Sequence, residues 1–265
     1  MILQLEDKNK YNKDIVIKPA GYTMNQFILD YKEKNKINKL CFAGRLDPMA
    51  RGKVLLLFND ECKKIEKYKN MNKIYKFKII IGFQTDSDDP LGIIQNINPN
   101  ITPENIIEVK NKLLFNIKIG PFKQSFHKYS SKCINGKPLW QITQENKNKE
   151  KEKENKMNDD ELDLPSHLIS IYDYKIGKCE QYNFIDWKNK IINQINMIDK
   201  KCNFNQENII NQWNNVNINE NYIYAIPVTL TVSSGFYVRQ FVRDFSDMID
   251  FPLMVYDINR IEILS

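Results

Sequence analysis

The most regular pattern of polar and apolar positions lies between Lys73 and Gly82, where the sequence KIYKFKIIIG alternates along its first half. A period of two predicts a β-strand with at least one buried face. Shorter apolar or alternating runs predict further strands at 14–18, 54–58, 168–176, 222–232 and 255–264. The sequence therefore predicts a core built on a sheet.

Apolar residues at helical spacing predict helices between these strands. Thr23 and Thr102 are the expected N-cap residues of two of them, and Pro103 suits the first helical position. The predicted helices cover 22–34, 61–68, 102–114, part of 186–217 and 236–248. Because strands and helices interleave without regular βαβ spacing, we expect an α+β fold with a mixed, mostly antiparallel central sheet flanked by helices.

Three polar segments interrupt the pattern. Residues 40–52 are expected to form a loop rich in glycine and arginine, and residues 85–92, with the sequence TDSDDPLG, are expected to form a polar turn. Residues 145–163 carry mixed charges and no apolar face, which predicts an exposed, mobile insertion. Residues 1–265 as a whole are expected to form a single domain.

The composition narrows the class of protein. Of the 265 residues 42% are hydrophobic, which is too many for a wholly disordered chain. No apolar run approaches the roughly 18 residues of a membrane span, so no membrane partner is expected. The five cysteines are scattered and the only histidines are His127 and His167. We therefore expect no disulfide framework, no metal site, and a monomer in a reducing compartment, cytoplasmic or organellar.

Arginine is the basic residue that stands out. The net charge of +6 permits an anionic partner, but lysine supplies most of it, since only five of the 39 basic residues are arginines. A residue type that the chain otherwise avoids indicates a chemical requirement where it occurs. The arginines lie in three short segments and are Arg45, Arg51, Arg239, Arg243 and Arg260.

Two of these segments contain candidates for chemistry. In CFAGRLDPMARG, Pro48 biases Asp47 toward extended backbone, so a rigid turn presents the carboxylate. On local chemistry alone, an ordinary surface turn explains the same residues. In SSGFYVRQFVRD, Arg239 and Arg243 are spaced to share one helical face, where an arginine could hold an aspartate ionised in a dry pocket. An exposed basic helix is the alternative.

Five segments, in order across residues 15–262, match a set of motifs. GRLDPMARG is similar to a GTLDPLASG-type motif, and SSGFYVRQFVRD to S-K-G-T-Y-I-R. IVIKPAGYT is similar to a lysine-proline-x-Gly segment, and KIYKFKIIIGFQTDSDDPLG to a K-x-Y strand followed by Gly, Thr-Asp and Asp-x-x-Gly. FKQSFHKYSSKCINGKPLW is similar to Q-x-P-P-x-Y-S-A-x-K-x-x-G-K. Together these segments resemble the TruB-type (TruB/dyskerin-like) RNA pseudouridine synthases, which implies the catalytic fold of that family.

The resemblance also implies roles for individual residues. Asp47 is the expected nucleophile, Tyr75 the aromatic residue that stacks on the flipped base, and Arg239 the partner of Asp47. The expected substrate-binding residues are Lys18, Phe42, Arg45, Tyr237 and Ile258.

Within that set the expected contacts differ. Lys18 is expected to be a basic group of the pocket or an RNA contact, and Ile258 an apolar residue that packs the pocket. Phe42 and Arg45 stand where the family usually has histidine and threonine.

The activity implied by the resemblance is the isomerisation of uridine to pseudouridine in RNA, with uridine 55 in the T loop of tRNA as the first expectation. A carboxylate nucleophile can carry out this reaction, so no cofactor is expected. The target base must leave its stack, at a cost of about a few kcal/mol, and an aromatic plane such as Tyr75 offsets that cost.

Other interpretations remain open at this point. Phe126 and His127 replace the two prolines of the family motif, and the chain is expected to lack the family's C-terminal PUA module, so another structured RNA (mRNA or rRNA) is an alternative target. His127 could be a substrate-loop contact or a structural residue. A catalytically inactive RNA-binding or chaperone homologue, with residues 145–163 as an RNA-contacting arm, is a further alternative. A carbohydrate hydrolase needs paired acids, and the sequence indicates no second acid.

Overall fold

The computed structural model describes residues 12–152, 164–218 and 221–264, with residues 147–152 described as backbone only. Two short 3₁₀ segments lie at Asn59–Lys64 and Lys200–Cys202. The helices are α1 (Met24–Asn35), α2 (Ile65–Lys69), α3 (Pro103–Asn116), α4 (Leu139–Glu152), α5 (Phe184–Met197), α6 (Gln206–Asn215) and α7 (Val238–Ile249).

The strands are β1 (Lys13–Lys18), β2 (Leu40–Ala43), β3 (Arg51–Phe58), β4 (Asn72–Ile81), β5 (Phe83–Thr85), β6 (Ile94–Ile97), β7 (Gly120–Ser125), β8 (Cys133–Ile134), β9 (Lys137–Pro138), β10 (Ser166–Ile176), β11 (Glu180–Asn183), β12 (Tyr222–Val232) and β13 (Leu253–Leu264).

One large sheet organises the domain. Its strand order is β1-β3-β13-β4-β12-β10-β7, with β2 beside β3 and β11 beside β12. These neighbours pair antiparallel apart from β13 and β3, which run parallel. The expectation of an α+β fold with a mostly antiparallel sheet is confirmed. No helix in the described ranges has the length and apolar content needed to cross a membrane.

Both faces of the sheet are buried. Along β4, Ile79 packs on one face against α1, α3 and α7, while Ile80 packs on the other face with α5 and α6. The same division occurs on β13 between Val255 and Tyr256. Residues adjacent in a strand point to opposite faces, so a strand buried on both sides is apolar at nearly every position. The predicted strand at 73–82 fits this arrangement.

Helix starts follow the expected capping chemistry. The Thr23 side chain accepts the backbone N–H of Gln26, and the Gln26 side chain accepts the backbone N–H of Thr23 in return. Thr102 and Asn105 form the same reciprocal pair at the start of α3, with Pro103 at its first position. Each exchange satisfies two backbone donors that have no partner within the helix. Both predicted N-caps are confirmed.

The segment 40–52 was expected to be a loop, and that prediction is wrong at both ends. Residues 40–43 form β2, which pairs with the end of β3, and residues 51 and 52 already belong to β3. The true loop is residues 44–50. A short connection between two paired strands has little freedom, so this loop has a fixed position on the sheet.

Residues 85–92 do form a turn, but the turn is buried. Thr85, Asp86, Ser87, Asp88 and Asp89 are each less than 8% exposed. A buried polar turn needs partners for its charges, and these come from distant segments described below.

The charged segment 145–163 was expected to be a mobile insertion. The helix α4 continues through its first part to Glu152, which the expectation did not include. Residues 153–163 lie outside the described residues.

Candidate active site

The loop 44–50 is held from below by a buried lysine. Lys18, at the end of β1, has no exposed surface, and its Nζ donates to the carbonyls of Asp47 (3.2 Å), Pro48 (3.3 Å) and Ala50 (2.7 Å), as well as to that of Pro19 (2.9 Å). Burial lowers the pKa of Lys18 to about 7, Asp47 opposes that shift, and Arg260 adds to it. An ammonium group with four carbonyl neighbours fixes the backbone of the turn that presents Asp47.

A buried arginine holds the other end of the loop. Arg260, on β13, is 1% exposed and donates from Nη2 to the Gly44 carbonyl (2.9 Å) and from Nη1 to the Arg45 carbonyl (3.5 Å). Its Nε donates to the Lys53 carbonyl (2.6 Å). Gly44 has φ +84°, and a Cβ there would lie 3.2 Å from Nη1 of Arg260. Glycine therefore suits both the backbone conformation and the close approach.

Asp47 forms an ion pair with Arg239. Nε of Arg239 donates to Oδ2 of Asp47 over 2.8 Å. The Asp47 side chain is 32% exposed and that of Arg239 6% exposed. Burial disfavours the charged form of Arg239, but Asp47 and Asp89 outweigh it, and the pKa of Arg239 lies above its usual value. A permanent buried cation thus orients a carboxylate that solvent, and so a substrate, can reach.

The guanidinium of Arg239 is itself fixed by backbone groups. Nη1 donates to the Ser87 carbonyl (3.2 Å) and Nη2 to the Tyr129 carbonyl (3.4 Å). Oδ2 of the buried Asp89 lies 4.0 Å from Nε. Burial raises the pKa of Asp89 to about 6, against the pull of Arg239. The position of Arg239 therefore depends on both the 85–92 turn and the segment around Tyr129.

A second buried charge cluster adjoins the first. Asp88 lies between His127, whose Nε2 is 2.9 Å from Oδ2, and Arg243, whose Nε is 3.0 Å from Oδ1. The contact with Arg243 has the distance of an ion pair but not the angles of a hydrogen bond, since Oδ1 has no hydrogen-bond partner among the described residues. Burial raises the pKa of Asp88 to about 6, although Arg243 favours the charged carboxylate.

Two tyrosines were predicted to lie in the site with Asp47. Tyr75, on β4, is 8% exposed, opposite Leu230 in the sheet. Tyr237 precedes α7, and its backbone N–H and carbonyl bind the side-chain amide of Gln124 at 2.9 and 3.0 Å. Burial raises the pKa of Tyr237, a hydrogen bond with Ser130 opposes that shift, and Asp47 also raises it. Arg239 and Tyr75 also act on the pKa of Tyr237, which places Asp47, Tyr75, Tyr237 and Arg239 near one another.

The other predicted site residues lie at its margins. The guanidinium carbon of Arg45 is 5.5 Å from the centre of the Phe42 ring, a cation–π contact at the start of the loop. Ile258 is 6% exposed and lines a small cleft with Met49 and Asp89. This cleft adjoins the charges around Arg239.

Lys18 requires a correction. Its side chain was expected to be a basic group of the pocket or an RNA contact, but it is fully buried beneath the loop. Its ammonium is used by backbone carbonyls, so an RNA cannot reach it in this structure. The strand position before Pro19 gave no sign of this, because the carbonyls that bind Lys18 belong mostly to residues about thirty positions later.

Sequence analysis missed the acids behind Arg239. Asp88 and Asp89 were interpreted as part of a polar turn, and the sequence was taken to indicate no second acid near Asp47. One signal was available: Arg243 shares a helical face with Arg239, and a second arginine there requires a second anion if the face is buried. Over the residues described, no three His, Cys, Asp or Glu side chains are arranged to hold a metal ion.

Comparison with known proteins shows the family of this chain. The sequence profile of the TruB family pseudouridylate synthases (N-terminal domain) matches residues 32–186, more than half of the chain. The chain belongs to the TruB family. The match includes Asp47, Tyr75 and the 85–92 turn, while Lys18 and Arg239 lie outside it.

Individual relatives carry the name tRNA pseudouridine synthase B. The protein of Thermotoga maritima is 29% identical over 134 residues, 50% of this chain and 42% of the relative. That of Ureaplasma urealyticum is 27% identical over 242 residues, 90% of this chain and 81% of the relative. This chain covers less than half of the length of the first relatives that it matches.

Among solved structures, an H/ACA RNP bound to a substrate RNA containing 2'-deoxyuridine includes a similar chain. The similarity extends over 95% of the present protein. The similarity covers 47% of that chain, with a TM-score of 0.49 and 10% sequence identity.

Proposed function

We propose that this protein is an RNA pseudouridine synthase, which isomerises uridine to pseudouridine with Asp47 as the nucleophile. The observation that carries the proposal is the pair of Asp47 and Arg239, in which a reachable carboxylate is held at 2.8 Å by a buried guanidinium. Membership of the TruB family supports the same activity.

The chemistry uses the carboxylate as a transient partner of the substrate. Asp47 attacks either the ribose C1′ or C6 of the uracil ring, and the bond between N1 and C1′ breaks. The base turns, C5 forms the new bond to C1′, and the bond between the substrate and Asp47 breaks to restore the free carboxylate. The hydrogen that C5 loses passes to water, and N1, now free of the sugar, takes up a proton. Reactant and product are isomers, so no redox step is required. Arg239 fixes the direction in which the carboxylate points throughout.

Tyr75 and Tyr237 are the aromatic residues that bind the flipped base in this proposal. Leaving the stack costs about a few kcal/mol, and stacking on an aromatic ring returns energy of that order. Tyr75 is largely buried, with 8% of its surface exposed. Tyr237 lies two residues before Arg239, and burial, Asp47 and Tyr75 all contribute to its raised pKa.

The proposed substrate is a tRNA, with uridine 55 in the T loop as the target and the T arm as the partner surface. The name shared by the relatives supports a tRNA substrate. The choice of uridine 55 is the finer part of the proposal, and it has its own test.

The test is release of tritium from a tRNA transcript labelled at C5 of uridine. Wild-type protein should release about one equivalent per tRNA. Asp47→Asn keeps the shape of the side chain but is a poor nucleophile, so release should fall by at least about 10³-fold. The matched control is Asp60→Asn, an exposed aspartate paired with Lys63, which should keep the wild-type rate.

Two further results would separate the alternatives. A transcript with cytidine at position 55 should release no tritium in excess of background, and undiminished release would place the target elsewhere in the RNA. Equal release by wild type and Asp47→Asn would overturn the role of Asp47. RNA binding with no pseudouridine from any tRNA or total RNA would indicate an inactive RNA-binding homologue instead.

A further inference from the structure

The position of Arg239 depends on two segments that are far apart in the chain. Its Nη1 donates to a carbonyl of the 85–92 turn, at Ser87, and its Nη2 to the carbonyl of Tyr129. If these two carbonyls move relative to each other, the guanidinium moves with them, and so does the Nε that binds Asp47. Some contact must therefore hold the turn and the Tyr129 segment in register.

His127 makes that contact. The backbone N–H of Tyr129 lies 3.2 Å from Nδ1 of the imidazole, and Oδ2 of Asp88 lies 2.9 Å from Nε2. A backbone N–H can only donate, so Nδ1 is the acceptor and the proton is on Nε2. The ring thus accepts from one segment and donates to the other, and its side chain is 1% exposed.

The charges around the ring keep it neutral. Burial lowers the pKa of His127 well below its usual value, and Arg239, Arg243 and Lys128 lower it further, while Asp47 acts in the opposite direction. A neutral imidazole with one donor and one acceptor matches its two partners, whereas the doubly protonated ring would have no acceptor for the backbone N–H.

The partner of the ring is also fixed. The Asp88 carbonyl accepts the backbone N–H of Val255 on β13 (2.9 Å), and Arg243 of α7 lies against its carboxylate at 3.0 Å. A second link joins the same two segments, since the Tyr129 hydroxyl donates to Oδ2 of Asp86 (3.1 Å). Both links end within two residues of the carbonyls that hold Arg239, and the contact between His127 and Asp88 is the more deeply buried of the two.

We propose that His127 is a positioning residue for the reaction at Asp47: its neutral ring ties the Asp88 turn to the Tyr129 segment and thereby fixes the guanidinium that orients the carboxylate. This inference rests on the proposed function. The family motif has a proline at this place, and proline has no side-chain donor or acceptor, so the contact belongs to this chain.

The experiment removes the two hydrogen bonds of the ring separately in two variants and together in a third. His127→Asn keeps an acceptor near Nδ1, His127→Gln keeps a donor near Nε2, and His127→Leu keeps neither. With the C5-tritiated tRNA, single-turnover rates should fall about 10²-fold in His127→Leu and about tenfold in the other two, because displacement of a positioned group by about 1 Å costs that much. The Kd for tRNA should stay within twofold in all three.

The control perturbs the same peptide unit, Lys128–Tyr129, but leaves the contact between His127 and Asp88 in place. The buried hydroxyl of Thr143 donates to the Lys128 carbonyl (2.9 Å), so Thr143→Val loosens the segment from its other side. It should lower the single-turnover rate less than His127→Leu does, because His127 still joins the two segments. If Thr143→Val slows the reaction as much as His127→Leu, or if His127→Leu has the wild-type rate, the inference is wrong.

The pH profile gives a readout that a merely structural role would not change. His127→Leu removes the N–H donor that stabilises the Asp88 carboxylate, so Asp88 takes up a proton at higher pH. The acid limb of the rate profile should therefore shift to higher pH. Arg243, Arg239, Lys128 and Asp86 also face Asp88 and stay unchanged. An acid limb in His127→Leu that coincides with that of wild type counts against the inference.

A second readout does not need activity. In wild-type protein, ¹⁵N NMR should show His127 protonated at Nε2 alone and a slowly exchanging Nε–H on Arg239, and this exchange should become at least about tenfold faster in His127→Leu. If wild type shows these signals but forms no pseudouridine, the proposed function fails and the positioning role stands. A wild-type ring protonated at Nδ1, or unchanged Arg239 exchange in the variant, overturns the positioning role.

Discussion

Asp47 and Arg239 differ in solvent exposure, and this difference determines what each side chain can do. The carboxylate is about one third exposed while the guanidinium is 6% exposed, so the anion meets solvent and the cation does not. Three acceptors on three different segments hold the guanidinium. Its planar fork of donors fits that arrangement, and an ammonium group would not.

Arg239→Lys should therefore slow the reaction, although it keeps the positive charge at position 239. A lysine cannot bind Asp47 and the carbonyls of Ser87 and Tyr129 together, so the carboxylate loses its fixed direction. We expect single-turnover tritium release to fall by about 10²- to 10³-fold. Arg51→Lys is the matched control, because Arg51 forms a half-exposed ion pair with Asp257 and should keep the wild-type rate within twofold. Equal losses in both variants would contradict the prediction.

The buried carboxylates of Asp88 and Asp89 give stability a pH dependence of definite sign. Their pKa values are raised to about 6, so between about pH 4 and pH 6 the folded protein binds more protons than the unfolded chain. Their contribution to stability is fully present below the unfolded pKa and is lost as pH rises through about 6. Each accounts for a loss on the order of 2 to 3 kcal/mol across that range.

Asp89→Asn tests this directly. The amide keeps an oxygen to accept from Ser87 and Leu91 but does not titrate. The decline in unfolding free energy between pH 4.5 and 7.5 should therefore become shallower by the contribution of one carboxylate, while His127, with its lowered pKa, acts in the opposite direction in both proteins. Urea unfolding at several pH values measures the slope. Asp60→Asn, at an exposed position, should keep the wild-type slope, and a wild-type slope in Asp89→Asn would show that Asp89 does not titrate in this range.

At the scale of elements, the loop 44–50 is clamped by strands on both sides of β3. Lys18 reaches it from the end of β1, and Arg260 reaches it from β13, the other neighbour of β3. Both cations bind backbone carbonyls rather than carboxylates. The loop therefore keeps its shape through interactions that do not depend on the side chains it presents.

Lys18→Met should weaken this clamp and remove one pH dependence. Leaving buried carbonyls without a donor costs about 1–3 kcal/mol, so the urea midpoint and the tritium-release rate should both fall. The pKa of Lys18 is lowered to about 7, so the unfolded chain binds more protons than the folded protein between pH 7 and 10. Wild-type stability should gain from Lys18 over that range, and Lys18→Met should lack the gain.

Lys63→Met is the control for both effects, because Lys63 is exposed and pairs with the exposed Asp60. It should leave the rate and the stability at pH 7 close to wild type, as expected for a surface ion pair. Burial also lowers the pKa of Lys73 to about 8, so a gain above pH 8 should remain in Lys18→Met. A gain between pH 7 and 8 that persists undiminished in Lys18→Met would assign it to another group.

Local chemistry explains which elements the sequence could predict. The caps at Thr23 and Thr102 and the alternation in β4 are properties of a few adjacent residues, and these predictions are confirmed. The strand β2 was missed because LCFA is short and acquires its structure by pairing with β3. The burial of the 85–92 turn could not be predicted, since its counter-charges, Arg239 and Arg243, lie on α7, and its neutral partner His127 lies 39 residues from Asp88.

The candidate site shows the same limit. Asp47, Tyr75 and Arg239 were identified through motif resemblance, and the structure brings them together. Lys18 was assigned the wrong surroundings, because a buried and a solvated lysine look alike in sequence. Asp88, Asp89 and the contact of His127 depend on pairs separated by 39 residues or more, and no local pattern encodes such pairs.

At the scale of the whole molecule, the site exists only when both halves of the chain have folded together. Asp47 and Arg239 are 192 residues apart in sequence. The sheet that carries the site is covered on one face by α1, α3 and α7, and on the other by the cluster around Trp187 and Trp213. One sheet shared by two packed layers favours a single cooperative unit.

Unfolding should therefore abolish structure and activity together. In a Trp140→Phe background, fluorescence reports on Trp187 and Trp213, which are buried on the face opposite Val242 of α7. Urea titrations of fluorescence and of tritium release should give the same midpoint. Loss of activity at a clearly lower urea concentration would show that the α7 side of the sheet opens first, as a separate unit.

The parallel pairing of β13 with β3 has a consequence for the path of the chain. β1 runs antiparallel to β3 and begins opposite its last residues, at Lys13 and Leu57, while β13 runs parallel to β3 and ends toward the same side. The start of β1 and the end of β13 are thus separated by only two strand spacings, about 10 Å. A short linker that joins Lys13 directly to Leu264 could close residues 13–264 into a ring, and such a circularly permuted variant opened at a distant surface loop should still assemble the loop 44–50 between its two clamps.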